Sequence, residues 1–118
     1  MKDFRTLQVW QKSHQLAIEI FNITRSFPKE EMFGITSQLR RAVVSIPANI
    51  AEGCGRGSDK DFSRFISISM GSACESEYFV MLCNDLHFLD DTLAEKYLES
   101  LTEIKKMLAS LIKTLNKS

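Results

Sequence analysis

Apolar side chains recur at every third or fourth position through four successive stretches of this sequence, and nowhere do they alternate with period two for long enough to make a strand. A chain patterned in this way buries its apolar rows by laying helices side by side. In the first stretch Leu7, Trp10, His14, Ala17, Phe21 and Thr24 form one row, and Leu16, Ile20, Ile23 and Phe27 a second beside it. Pro28 ends that helix, because the residue ahead of a proline is pushed out of helical geometry. The second stretch carries Ile35, Leu39, Val43, Ile46 and Ile50 on one face, with Pro47 inside it, where the missing N–H predicts a kink. Gly53-Cys54-Gly55-Arg56-Gly57 stops it, glycine being the residue that accepts left-handed backbone at a helix end.

Ser58 opens the third helix, with Asp61 three residues on in a capping-box pattern. Its inner row is Phe62, Ile66, Ser69, Ala73, Ser76, Val80 and Cys83. Asp90 and Asp91 make the next turn and cap, and the last helix carries Leu93, Tyr97, Leu101, Ile104, Leu108, Leu111 and Leu115. The expected helices span residues 6–26, 34–54, 58–89 and 91–116 of a single 118-residue domain. Short connections after the second and third helices force antiparallel neighbours, so the expected fold is all-α, an antiparallel up-down-up-down four-helix bundle.

The third helix is apolar nearly all round from Tyr78 to Leu89. Ile68, Tyr78, Leu82, Leu86 and Leu89 form a second stripe about 140° from the inner row. A helix in a lone bundle needs one buried face, so the second stripe predicts an oligomer interface; the alternative is a wide interior that takes both stripes.

Fifteen Lys and Arg balance fifteen Asp and Glu, which removes any overall pull on nucleic acid or an anionic membrane and leaves only local patches. No stretch is apolar enough to span a bilayer, and Met1-Lys2-Asp3-Phe4-Arg5 lacks the apolar run of a signal peptide. Cys54, Cys74 and Cys83 are an odd set without a close pair, read as reduced thiols. The expectation is a cytoplasmic protein with no membrane role. His14 and His87 each lack the acid three residues earlier that di-iron bundles use, and no zinc-ligand spacing occurs. Glu75 and Glu77 point to different faces of their helix. No catalytic residue, metal or cofactor is expected, and the chain reads as a non-enzyme.

Gly53-x-Gly55-x-Gly57 ahead of a helix could cradle a phosphate on backbone amides, but the strand and Lys-Ser/Thr of a P-loop are missing, which favours a structural turn. Arg40, Arg41, Arg56, Lys60 and Arg64 gather around it in sequence, and Lys60 opposes the dipole of the third helix. These five are the candidate nucleic-acid-binding residues; the alternative is internal pairing with Glu52, Asp59 and Asp61. On the second helix Gln38, Arg41, Ser45, Asn49 and Glu52 make a polar row. Glu75 is expected half-buried with Arg41 as its cation, so that Arg41, Ser45, Asn49, Glu52 and Glu75 form one network fixing the register of the second and third helices.

The run Gln38-Leu39-Arg40-Arg41-Ala42, then Ser45-Ile46-Pro47-Ala48-Asn49-Ile50-Ala51-Glu52-Gly53, then Gly55, Arg64-Phe65 and Gly71-Ser72 with Glu75 and Glu77, resembles the four-helix-bundle family encoded in intervening sequences of bacterial 23S ribosomal RNA genes. The resemblance covers Phe4 to Leu115; Met70 stands where that family usually has Ala. It implies an antiparallel bundle that assembles into a ring, a pentamer, with no enzymatic activity. The family is similar in turn to the basic accessory proteins of diversity-generating retroelements, from which this neutral chain departs. The leading expectation is an oligomer whose partner is RNA or a ribonucleoprotein. A protein-binding scaffold without a nucleic-acid role stays open beside it.

Overall fold

The four periodic stretches fold as α1 (Gln8–Ile23), α2 (Ile35–Cys54), α3 (Asp59–Asp85) and α4 (Asp91–Leu115), with single 3-10 turns at Phe4–Thr6, Thr24–Ser26 and Lys29–Glu31 and no strand among the described residues. The structure is a computed structural model and describes residues 3–117; Met1 and Lys2, named above in the reading of the start, lie outside them. Short turns join helices of 16 to 27 residues, and the body measures 46 × 23 × 20 Å. This is the antiparallel four-helix bundle that the periodicity predicts. Helix α2 packs on α1 and α3, and α4 on α3 and α1, so α1 and α3 stand on a diagonal. No described helix is long and apolar enough to cross a membrane.

The core is the sum of four stripes. Leu16, Ile20, Leu39, Val43, Ile46, Ile50, Ile66, Val80, Leu101, Ile104 and Leu108 are all fully enclosed. At about 1.5–3 kcal/mol for each such side chain, this burial is the main favourable term in the fold. The predicted rows of α2 and α4 and the inner row of α3 all face inward. In α1 only the second row does, joined by Val9 and Ser13; of the first row, Ala17 and Thr24 are buried, whereas His14 and Phe21 are exposed. Phe21 instead lies under the Arg40 guanidinium, and His14 stacks on Trp10 at 4.6 Å.

The ends follow local chemistry. The Ser58 hydroxyl accepts from the Asp61 amide at 3.1 Å and the Asp90 carboxylate from the Leu93 amide at 2.8 Å, each satisfying one orphan donor of a first turn. The Asp61 carboxylate does not reciprocate at Ser58; it turns to Arg56 and Arg64. Helix α3 stops at Asp85, four residues short of the expected end. The Phe88 amide reaches back to the Cys83 carbonyl and the His87 amide to the Asn84 carbonyl, with His87 at φ 65°, a Schellman closure that wraps the chain back before Leu89.

No glycine takes left-handed backbone, contrary to the expectation at the end of α2. Gly53 has another reason to be there. A Cβ on it would stand 2.7 Å from Phe62 Cδ1 and 3.0 Å from Phe65 Cβ, so its bare Cα is what lets α2 and α3 meet so closely. Across the bundle, Lys105 Nζ donates to both carboxylate oxygens of Glu77 at 2.9 Å, tying α4 to α3, while Lys96 pairs with Glu19 and Lys12 with Glu103 between α4 and α1.

Candidate functional site

The five basic residues grouped by the sequence do not form one patch. Arg40 turns toward α1, where its Nε donates to Thr24 Oγ1 at 2.8 Å and Nη2 to the Phe21 carbonyl at 3.3 Å. Arg56 and Arg64 gather at the other end of α2, about 22 Å away at 1.5 Å per residue. Both guanidinium groups lie over the Phe65 ring, at 4.7 and 4.5 Å from its centroid, and both face the Asp61 carboxylate; Arg56 also approaches Glu52 at 3.7 Å. Internal ion pairing therefore takes two of the five, Arg56 and Arg64, while Arg40 bonds neutral acceptors of the first helix and its turn. Lys60 and Arg41 are exposed and make no ion pair among the described residues.

The predicted network forms in part. Asn49 Nδ2 donates to the Ser45 carbonyl at 2.8 Å and to Ser45 Oγ at 2.9 Å, and Ser72 Oγ bonds Ser45 Oγ at 2.9 Å, which joins α2 to α3 through three small polar side chains. Ser69 Oγ adds a bond to the Ile46 carbonyl at 2.9 Å. Glu52 belongs to the Arg56 cluster instead. Glu75 is exposed, not half-buried, and makes no ion pair with Arg41, although the two line one open cleft of about 450 Å3 together with Gln38, Ser45 and Phe79. The acid of α3 that does find a cation is Glu77, two residues on, because it faces α4 and Lys105.

The second stripe of α3 divides along its length. Ile68, Tyr78 and Leu86 are exposed by 42, 58 and 47%, and Met81, absent from the sequence reading, by 51%. Leu82 is half-buried against the core, and Leu89 is 3% exposed, an interior residue. The early Schellman turn explains Leu89, since beyond Asp85 the chain no longer follows the helical screw that places it with Leu82 and Leu86. On the other helices, Ile18 and Phe21 of α1 and Val44 of α2 are each about two-fifths exposed.

Titratable groups are structural where they stand out. Burial pushes the Cys83 thiol up to about 11, and Lys12 beside Glu103 holds that carboxyl below its usual range. Among the described residues no three His, Cys, Asp or Glu side chains gather as a metal site would require.

The sequence profile of the 23S rRNA-intervening sequence protein family matches residues 5–110. The crystal structure of a protein of unknown function from the S23 ribosomal protein family of Bacteroides thetaiotaomicron VPI-5482 superposes with a TM-score of 0.82 at 32% identity, covering 89% of this chain and 95% of that one. No curated protein matches. The function of the structural neighbour is unknown, and neither comparison carries a catalytic indication. With the family profile across most of its length and the same bundle in a relative of like size, the chain belongs to the 23S rRNA-intervening sequence protein family.

Proposed function

We propose that the chain is a non-catalytic bundle whose work is to assemble with copies of itself into a larger particle, in the cytoplasm. The observation that carries this is the outer face of α3, where Ile68, Tyr78 and Met81 are exposed, continued by Leu86 at its C-cap, on a helix whose inner row is already buried. Scattered single apolar residues need no explanation, but a row along one element marks an interaction surface. A non-catalytic role fits the two histidines, of which one stacks on Trp10 and the other closes a helix end. The exposed thiol of Cys74 suits a reducing compartment.

Sedimentation at micromolar concentration tests the reading. A particle several times 13.5 kDa is expected, falling to a single chain in Tyr78→Lys/Met81→Lys with helicity unchanged. A 13.5 kDa wild-type particle overturns it. RNA or a ribonucleoprotein as partner is a second reading, favoured by the unspent charges of Arg41 and Lys60 and by the family's link to ribosomal RNA genes. Log affinity would then fall against log salt with a slope of roughly one per phosphate neutralised, and an absence of RNA retention at low salt ends that reading.

A further inference from the structure

At the corner where α1 gives way to α2, the 3-10 turns at 24–26 and 29–31 fold around a cleft of about 310 Å3. It is lined by Arg25, Lys29 and Arg40 together with Thr24, Thr36, Phe27, Pro28 and Met32, with no carboxylate. Three separate features meet there. The first is charge. Arg25 and Lys29 are exposed and make no ion pair among the described residues, while Arg40 is held in place by its bonds to Thr24 and the Phe21 carbonyl with guanidinium donors to spare.

The second feature is an orphan. Thr36 is 4% exposed, and its Oγ1 is the buried side-chain oxygen or nitrogen that finds no hydrogen-bond partner among the described residues. A hydroxyl buried without a partner loses its hydration for nothing in return, and native folds avoid this unless the group has another use. Thr24, by contrast, is satisfied, donating to the Ile20 carbonyl at 2.7 Å. The third feature is the start of α2. Gly34 caps it without a side-chain bond, its first turn holds no acid, and Thr36 is its second residue. The first amides of a helix have no intrahelical acceptor, and the helix dipole adds positive potential beside them. Two carboxylates lie in the turn ahead of that end, Glu30 and Glu31; the Glu31 Oε1 lies 3.3 Å from where a Gly34 Cβ would stand, and neither acid lines the cleft or caps the helix.

We propose that this cleft binds a phosphate group. Three cations and an uncapped helix start call for more than the single charge of a carboxylate, and a tetrahedral dianion has oxygens enough for Arg25, Lys29, Arg40 and the Thr36 hydroxyl together. The site is independent of the assembly face on α3 and is read by binding, not by particle mass. The phosphate can arrive as the free ion or as the terminal phosphate of an RNA.

Isothermal titration tests this with three probes: inorganic phosphate, a short 5′-phosphorylated oligoribonucleotide and its 5′-hydroxyl twin. Saturable binding of inorganic phosphate is expected, weakened about tenfold or more by Arg25→Gln/Lys29→Gln and by Thr36→Val, and strengthened by Glu31→Gln. Thr36→Val carries a second readout that a merely structural residue would not give: the ligand-free protein melts higher, because a methyl replaces the orphan hydroxyl, while phosphate binding falls. Binding of the phosphorylated RNA but not of its twin identifies an RNA end as the source, and binding of inorganic phosphate with neither RNA identifies the free ion. Absence of binding by all three, equal binding of both RNAs without inorganic phosphate, or undiminished phosphate binding in Thr36→Val overturns the proposal.

Discussion

Position 87 is held by a histidine in the left-handed conformation that most helix ends give to glycine. A Cβ there crowds the neighbouring carbonyl at a cost of about 1–2 kcal/mol, offset in part by the greater freedom glycine would lose on folding. His87→Gly should therefore stabilise the fold by about 0.5–1 kcal/mol, seen as a rise of a few degrees in Tm in a thermal melt. Gly53 is the opposite case. Its φ is ordinary, and what it lacks is room, with Phe62 and Phe65 against its Cα. Gly53→Ala must push the Phe62 ring aside and α3 back from Phe65 Cβ, and should destabilise by about 1–3 kcal/mol in a denaturant titration. Neither role could be read from the sequence. The Gly-x-Gly-x-Gly spacing advertises backbone freedom, whereas the glycine that matters there serves an interhelical distance, and the position that needs left-handed backbone is occupied by a residue giving no such signal. Thr36 was hidden for a similar reason: a threonine in a first turn looks unremarkable until its neighbours from α1 are in place.

At the scale of the helix, periodicity located all four elements, because burial of one face repeats along the whole length and short-range noise averages out. In α1 it set two apolar rows side by side without deciding between them. His14 and Phe21 of the first row turn outward while Ala17 and Thr24 of the same row are buried, and what decides this is the position of α2 and α4, not the composition of the row. Ion pairing failed differently. Arg41 and Glu75 share a cleft yet form no ion pair, while Glu77 reaches Lys105. Because Arg41 is exposed and unpaired, Arg41→Ala should change stability by no more than about 0.5 kcal/mol. Lys105→Met, which strands a partly buried Glu77 carboxylate, should cost about 1–2 kcal/mol; paired denaturant titrations of the two variants separate them. The basic corner formed by Arg25, Lys29 and Arg40 was beyond reach for a related reason, since the antiparallel return of α2 brings residues 25 and 40 together across a turn that spreads them through the sequence.

For the molecule as a whole, stability depends on pH at the alkaline end. The Cys83 thiol, enclosed in the core, keeps its proton up to about 11 in the folded chain, against 9.0 for an unperturbed thiol. The unfolded chain loses that proton first, so stability is complete below pH 9 and declines as pH rises toward 11, by about 2–3 kcal/mol at 1.36 kcal/mol per unit. Tyr97, also raised by burial, adds to the same trend. Alkaline melts of Cys83→Ala, flatter than wild type between pH 9 and 11, check it. Shape carries a consequence of its own. The exposed row of α3 and the exposed Ile18 and Phe21 of α1 belong to helices across one diagonal of the bundle, with Val44 on α2 between them. Under the proposed self-assembly, unlike faces of one copy cannot both be covered in a pair. Copies joined front to back keep adding until the last meets the first, and otherwise grow without end. The wedge angle of each copy then sets how many close the circuit, and the contact at Gly53, where α2 sits hard against α3, is a place where adding one methyl would alter that angle.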